Sequence, residues 1–234
     1  MKRKYKDYFD YYVELENDFF STESYVTIEE DNFKTFSIKY AKLYLSICSE
    51  IDCLLKEICK NLNPNSTASK INQYYPEINS AFENFKLESV FFKKAKIELV
   101  PWKEWDESLS PKWWTYYNKV KHQRLEKEDE TNIPYYKYAN LENVFNALAA
   151  LYIVEQYYMY SYSYLEEAKE ESGLEDDVVK LQGIGDWIKS GVMFEFTSQR
   201  CYMKRWIDNE IYTSTFIESE VELKALDSLI HKQD

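Results

Sequence analysis

The sequence Leu141-Glu142-Asn143-Val144-Phe145-Asn146-Ala147-Leu148-Ala149-Ala150-Leu151-Tyr152-Ile153 has the pattern of a buried helix. Its large apolar residues form a wide stripe at helical spacing, and the three alanines among them allow neighbouring helices to approach closely. We predict that this helix begins near Pro134 and runs to about residue 165. It is therefore the expected central packing helix of the fold.

A second strong helix is predicted over residues 35–62. Its apolar residues keep a period of 3.6, and these are Phe36, Tyr40, Leu43, Tyr44, Ile47, Cys48, Ile51, Leu54, Leu55 and Ile58. Asn63-Pro64 ends the pattern, because the residue before a proline avoids the α region. All four glycines lie between residues 173 and 191, whereas all five prolines lie at or before residue 134. A glycine-free region with prolines is typical of helices whose ends are marked by proline.

Shorter elements are predicted between these two helices. The pattern favours helices at residues 66–75 and 77–92, and an extended segment at 97–102. A further helix is expected to open at Ser110-Pro111, with the serine as N-cap and the proline at the first helical position.

The predicted fold class is all-α, a helical bundle with extensions at both ends. The bundle covers residues 35–165, an N-terminal extension covers 1–34, and an acidic connector and C-terminal extension cover 166–234. Within the last of these, weak alternation favours short strands of a β-hairpin, at residues 192–196, 201–203 and 211–213. A closing helix is expected at 217–231.

Composition limits the kind of function. The chain has 234 residues, with 29 Lys and Arg against 41 Asp and Glu, and a net charge of −12. This charge argues against broad nonspecific binding of nucleic acid, although it permits a local basic site. No apolar run reaches the roughly 20 residues of a membrane span, and no apolar stretch follows the basic N-terminus. We therefore expect a cytoplasmic protein with no membrane association, and some of its 22 tyrosines in the core or at an interface.

The cysteines and histidines predict neither a metal site nor a cofactor. Three of the four cysteines follow one another at spacings of five and six, which fits no zinc motif, at Cys48, Cys53 and Cys59. Together with Cys201 they are expected to be buried, reduced thiols. The two histidines, His122 and His231, lie far apart in sequence, which disfavours a transition-metal site.

The candidate functional site lies within residues 111–127. This segment holds a single anion, Glu126, and five cations, namely Lys112, Lys119, Lys121, Arg124 and Lys127. On a helix, Trp114, Asn118 and His122 share one face, and Trp113, Tyr117 and Lys121 form the adjacent row. An amide can bind ribose or phosphate, and an imidazole can transfer a proton near neutral pH. The alternative is structural: His122 caps the helix or makes an interface hydrogen bond, and the tryptophans belong to the core.

Three segments resemble the HEPN superfamily. They are Asn118-Lys119-Val120-Lys121-His122-Gln123-Arg124 with the preceding Trp113-Trp114, the segment 138–151, and the early acidic helix at 49–56. The resemblance implies a helical bundle that forms homodimers and acts as a metal-independent endoribonuclease in bacterial antiviral defence or toxin–antitoxin systems. It also implies that the partners are an RNA substrate and an antitoxin or defence-system protein.

The resemblance assigns roles to individual residues. His122 corresponds to the proton-transfer residue, and Asn118 orients it or binds the ribose. The substrate side would be formed by the nearby cations and rings, at Lys119, Lys121, Arg124, Tyr117 and Trp114. The arginine of the family motif is replaced by Tyr117, so two hypotheses stay open. One is RNA cleavage at a site completed by a second subunit, and the other is a non-catalytic module for dimerisation or for binding protein or RNA.

Overall fold

The computed structural model of the chain describes residues 2–172 and 198–204, with side chains described for residues 5–162 and 198–204. Within these residues the chain forms five α-helices, which are Lys2–Ser21 (α1), Ile38–Leu62 (α2), Ile71–Ala81 (α3), Lys112–His122 (α4) and Leu141–Ser172 (α5). Three short strands form one antiparallel sheet in the order β2-β1-β3, and they are Val90–Phe92 (β1), Ile97–Leu99 (β2) and Cys201–Met203 (β3). The helical prediction is confirmed, but the fold also contains this sheet and is not purely α.

Helix α5 is the centre of the molecule. Every side chain from residue 147 to residue 161 is buried, and α5 packs against α1, α2, α4 and β1. The prediction of a central packing helix is therefore confirmed. The helix begins at Leu141 and not near Pro134, because residues 135–138 form a separate 3-10 turn. Asn140 caps it, since its Oδ1 accepts a hydrogen bond from the backbone N–H of Asn143 at 3.0 Å.

Helix α2 lies along α5 and supplies the facing half of the core. Its first residue is Ile38, and the Oγ of Ser37 accepts a hydrogen bond from the N–H of Tyr40 at 3.0 Å, which caps the helix. The periodic residues predicted to face the core are buried within α2 from Tyr40 onward. Phe36, which precedes the helix, is 42% exposed.

Separate helices were predicted at 66–75 and 77–92, with a break at Pro76, and this break is wrong. One helix, α3, continues through Pro76, and the segment predicted as a helix over 77–92 ends in strand β1. Proline in a helix interior removes one backbone hydrogen bond, at a cost of about 3 kcal/mol. Here Tyr74 and Ile78 on either side are fully buried, so core packing favours the helix in spite of that cost.

The sheet joins segments that are distant in sequence. Strands β1 and β2 form a hairpin, in which Lys96 adopts a left-handed conformation with φ of 55°. An extended segment was predicted at 97–102, and the prediction is confirmed for residues 97–99, which form β2. The strand predicted at 201–203 is also confirmed, but within the described residues it pairs with β1. The other predicted C-terminal elements, at 192–196, 211–213 and 217–231, lie outside the described residues.

Helix α1 and the segment around β3 are held together by a buried carboxylate. Glu16 is 4% exposed, and its Oε1 accepts hydrogen bonds from Tyr12 Oη at 2.8 Å and Ser198 Oγ at 2.6 Å. The Nη1 of Arg200 lies 3.5 Å from the other oxygen of Glu16. Tyr12 and other apolar residues of α1 belong to the same core as α2 and α5. In the described part of the chain, no helix combines the length and the hydropathy that a membrane span requires.

Candidate functional site

The site helix α4 is shorter than predicted and is capped differently. It begins at Lys112, and Pro111 occupies the N-cap position without a side-chain hydrogen bond. Ser110, the predicted N-cap, instead has its Oγ 3.2 Å from Oδ1 of Asn72. The helix ends at His122, and the chain then turns, so that Lys127 pairs with Pro134 in an isolated β-bridge. The residues after His122 therefore project from a loop.

One side of α4 is anchored in the core by aromatic residues. Trp113, Trp114 and Tyr117 are each no more than 5% exposed. The indole N–H of Trp113 donates to the carbonyl of Pro101 at 2.7 Å, and the hydroxyl of Tyr44 donates to the carbonyl of Trp113. The rings of Trp114 and Tyr117 lie 5.1 Å apart. This packing accounts for Trp114 and Tyr117 without any contact to a substrate.

A phenol and an ammonium group contact each other on α4, at Tyr117 and Lys121. The Nζ of Lys121 donates to Tyr117 Oη at 3.2 Å and lies 5.4 Å from the centre of that ring. Burial raises the pKa of the Tyr117 hydroxyl, and the Lys121 ammonium opposes that rise. The hydroxyl is therefore neutral at physiological pH, and the positive charge beside it belongs to Lys121, one helical turn later.

The two residues predicted to be catalytic lie in different environments. The Nδ2 of Asn118, which is half-buried, donates to the carbonyl of Trp114 at 3.1 Å. Its amide group therefore bonds to the preceding turn of its own helix. His122 is exposed at the end of α4, and within the described residues its imidazole has no hydrogen-bond partner.

The cations around His122 are not neutralised by carboxylates. Considering residues 5–162 and 198–204, no carboxylate lies within ion-pair distance of four of them, namely Lys119, Lys121, Arg124 and Lys127. Lys119 instead lies over the ring of Tyr135, at 5.2 Å from its centre. The end of α4 therefore groups four cations that have no carboxylate partner among the described residues, and we call these four residues with His122 the α4 basic end.

A nearby acid is held by hydroxyl groups. Glu128 accepts hydrogen bonds from Thr131 Oγ1 at 2.6 Å, from Tyr116 Oη at 3.1 Å and from the hydroxyl of Tyr138. The rings of Tyr116 and Tyr138 are stacked with centres 3.8 Å apart. These contacts fix the loop that follows α4, and they direct the carboxylate of Glu128 toward tyrosines.

A groove adjoins the α4 basic end. It has a volume of about 590 Å³ and lies between the first turns of α2, the loop after α4 and the 3-10 turn at 135–138. Its lining is mostly apolar and includes two cations, and consists of Phe36, Ser37, Ile38, Ala41, Lys42, Leu45, Arg124 and Tyr136. Of these eight residues, only Arg124 was predicted from the sequence to be functional, because the three segments meet only in the folded chain.

Thiols and metal ligands add no chemistry to this surface. Cys48, Cys59 and Cys201 are buried free thiols, as predicted, whereas Cys53 is exposed. Burial raises the pKa of Cys59 to about 12, so this thiol stays protonated. Among the described residues, no group of three or more His, Cys, Asp or Glu side chains is placed to hold a metal ion.

One titratable residue in the core was missed from the sequence. Glu155 lies in the middle of α5, is 3% exposed, and its Oε1 has no hydrogen-bond partner in the described part of the structure. Burial raises its pKa well above the ordinary value, and the nearby carboxylate of Glu50 raises it further. A single acid inside the long apolar stretch of α5 was the available signal.

Protein-family models, curated proteins and solved structures give no significant match to this chain. The resemblance to HEPN domains therefore rests on the three sequence segments quoted for it.

Proposed function

We propose that this protein is a non-catalytic HEPN-like module that binds single-stranded RNA at the α4 basic end. The observation that supports this most directly is that Lys119, Lys121, Arg124 and Lys127 have no carboxylate partner within the described residues. Unpaired cations clustered in an acidic protein are available to phosphate groups, which supply much of the affinity of proteins for nucleic acid.

The contacts of α4 favour binding over cleavage. Stabilisation of a phosphorane requires a preorganised charge at the scissile phosphate. The motif arginine position is filled by the ring of Tyr117, which is 4% exposed, and the amide of Asn118 is already bonded to the carbonyl of Trp114. These two side chains would both have to rearrange before they could act on a substrate.

The binding proposal predicts a charge-specific loss of affinity. The double variant Lys121→Gln/Arg124→Gln should bind a labelled oligouridine at least about tenfold more weakly than the wild type, because it loses two phosphate contacts. Fluorescence anisotropy at low salt measures this. The control is Lys70→Gln/Lys103→Gln, which removes the same net charge from exposed positions outside the α4 basic end. Equal affinities of the two double variants would contradict the proposal.

The salt dependence gives a second test. We expect two to four phosphates to be neutralised per subunit, which corresponds to a slope of log Kobs against log salt of about −1.4 to −2.8 for a single strand. Anisotropy titrations across a range of salt concentrations give this slope. A steeper slope would mean that RNA contacts a basic surface larger than the α4 basic end.

Endoribonuclease activity is a second candidate function, favoured by the exposed imidazole of His122 among those cations. In this case His122 transfers the proton, a second copy of the chain completes the site, and expression of the protein slows growth as in a toxin–antitoxin or defence system. The test compares wild type and His122→Ala on total RNA in the presence of a chelator. If the wild type cleaves RNA and His122→Ala does not, the nuclease function replaces the non-catalytic proposal. If the two proteins cleave RNA at the same rate, His122 does not have this role.

A further inference from the structure

The groove beside α2 presents two aromatic rings to solvent. Phe36 is 42% and Tyr136 is 37% exposed, and their rings meet edge to face, with centres 5.7 Å apart and planes at 67°. An edge-to-face pair leaves the flat faces of at least one ring uncovered by its partner. Most aromatic residues of the described chain are buried in the core. Phe36 and Tyr136 are different, because they are half-exposed at the edge of an apolar groove and can contact a flat ligand.

Cations lie beside these rings. The Nζ of Lys137 lies 5.5 Å from the centre of the Phe36 ring, and among the eight described residues of the lining the charged ones are the cations Lys42 and Arg124. Exposed aromatic rings next to cations are the combination by which proteins hold unpaired nucleotides, since the rings stack on bases and the cations hold phosphates.

The groove is continuous with the α4 basic end. Arg124 belongs to both, and its backbone carbonyl accepts a hydrogen bond from the N–H of Tyr136 at 3.0 Å. This bond keeps the aromatic ring of the groove close to the loop that carries the cation. A strand held by phosphate at α4 can therefore place the next base in the groove.

We propose that this groove is a base-binding subsite, which holds an unpaired nucleobase of single-stranded RNA against Phe36 and Tyr136 while Lys42 and Arg124 hold the adjoining phosphates. The proposal rests on the proposed RNA-binding function and names the substrate class as single-stranded. The chemistry of the lining supports a nucleotide as its occupant. Its two exposed rings can stack on a base, and its eight described residues include two cations and no anion, which suits phosphate groups.

The test compares variants that keep or remove a flat ring. Phe36→Leu and Tyr136→Leu should weaken binding of oligouridine about 5- to 100-fold, because one stacked base is lost, and Tyr136→Phe should bind like the wild type. The matched control is Tyr25→Leu, which removes a tyrosine that is 90% exposed outside the groove. Thermal melting of each variant shows whether the fold is intact. If both leucine variants are folded and bind like the wild type, the subsite is excluded.

Two measurements on the unaltered protein do not depend on the stability of variants. Photo-crosslinking of an oligomer that contains 5-iodouridine should label Phe36 or Tyr136, and peptide mapping locates the label. An abasic ribose-phosphate oligomer of equal length should bind about 5- to 100-fold more weakly than oligouridine. Equal affinity for the two oligomers, or crosslinks confined to residues outside the groove, would overturn the proposal.

The outcomes separate this subsite from the broader function. If Lys121→Gln/Arg124→Gln loses affinity and the leucine variants do not, RNA binding stands and the subsite falls. If the wild type binds no single-stranded RNA, both fall. Ile38 lines the groove and is 79% exposed, so Ile38→Asp tests whether the groove is instead an interface between two copies of the chain. If this variant dissociates a dimer and leaves the affinity for RNA unchanged, the groove is such an interface and the subsite falls.

Discussion

At the scale of single residues, Glu155 is a carboxyl group whose burial is not compensated by hydrogen bonds. It lies within the buried stretch of α5, near a second acid, Glu50, and has an oxygen with no hydrogen-bond partner among the described residues. Burial of a polar group without a partner costs free energy, and a charged group costs more. The protonated form of Glu155 is therefore favoured in the folded protein.

We predict that Glu155→Gln stabilises the protein near neutral pH. The folded pKa is raised, so the folded state holds a proton that the unfolded chain releases above about pH 4.3, and stability falls as the pH rises toward the folded pKa. The amide has no proton to lose, so the variant should show a smaller fall. Urea denaturation at about pH 5 and about pH 8 measures this, with the exposed Glu14→Gln as control. A gain of stability equal at both pH values would contradict the titration argument.

Tyr117 gives a second prediction at the residue scale. The substitution Tyr117→Arg, which introduces the arginine of the HEPN motif, should lower the free energy of unfolding by at least about 2 kcal/mol, because a guanidinium would replace a ring packed among Tyr44 and Trp114. The control is Thr115→Arg on the exposed face of α4. Chemical denaturation of both variants measures the difference. Equal stability of the two would mean that the Tyr117 position can hold a cation, which would favour the nuclease hypothesis.

At the scale of elements, the loop after α4 depends on the three hydroxyl groups that bind Glu128. Hydrogen bonds from Thr131, and then from Tyr138, hold the pKa of Glu128 below its ordinary value. The groove ring Tyr136 lies in the same connection, and its N–H bonds to Arg124. Order in this loop therefore positions both the groove and one cation of the α4 basic end.

We predict that Glu128→Gln loosens this loop at neutral pH and has little effect in acid. The pKa of Glu128 is lower in the folded protein than in the unfolded chain. The stability that its carboxylate gives to the loop is therefore present above the unfolded pKa of about 4.3, and it is lost as the pH falls through the folded pKa. Amide hydrogen exchange of Tyr135 and Tyr136 should quicken in the variant near neutral pH. The carboxylate is largely exposed, so we expect an effect of less than about 1 kcal/mol. A variant whose exchange is unchanged at every pH would show that the tyrosine stack alone holds the loop.

The elements also show which parts of the fold could be predicted. Helices α2 and α5 were found because their apolar residues repeat over many turns. Strand β1 was missed and was predicted as part of a helix over 77–92, because three residues are too few to distinguish a strand period from a helical one. Helix α1 was missed because two of its buried residues are tyrosines, Tyr5 and Tyr12, and another is the acid Glu16, so its core-facing residues do not form a plain apolar stripe.

The site was predicted in part for a related reason. The cations of α4 are neighbours in sequence, so composition within a short window reveals them. The groove is formed by Phe36, Arg124 and Tyr136, which come from three separate segments. In the sequence, Glu155 stands out only as a charged residue within an uncharged stretch, and its burial becomes clear only in the fold. Such features depend on the packing of distant segments, which a single sequence pattern does not contain.

At the scale of the whole molecule, the segment 198–204 completes both the sheet and the core. Cys201 and Met203 are buried, β3 pairs with β1, and Ser198 and Arg200 bind Glu16 of α1. The segment therefore connects the start of the described chain with its end. Its contribution to stability should be large for its length.

We predict that a chain ending at residue 197 is less stable than one ending at residue 204 by about 2–4 kcal/mol. The shorter chain lacks two buried apolar side chains. It also removes the hydrogen bond that Ser198 Oγ donates to Glu16 and the contact of the Tyr12 hydroxyl with Cys201 Sγ. Urea denaturation of the two truncated chains measures the difference, and the comparison cancels any effect of residues 205–234. Equal midpoints would mean that the pairing of β3 with β1 contributes little.

The pairing of β1 with β3 has a consequence for synthesis of the protein. β1 leaves the ribosome well before β3, so the nascent chain carries the β1–β2 hairpin with one edge of β1 unpaired until Met203 has emerged. Exposed strand edges promote association between chains. Translation speed and chaperone binding after β2 should therefore influence the yield of folded protein more than they do for a bundle built only of adjacent helices.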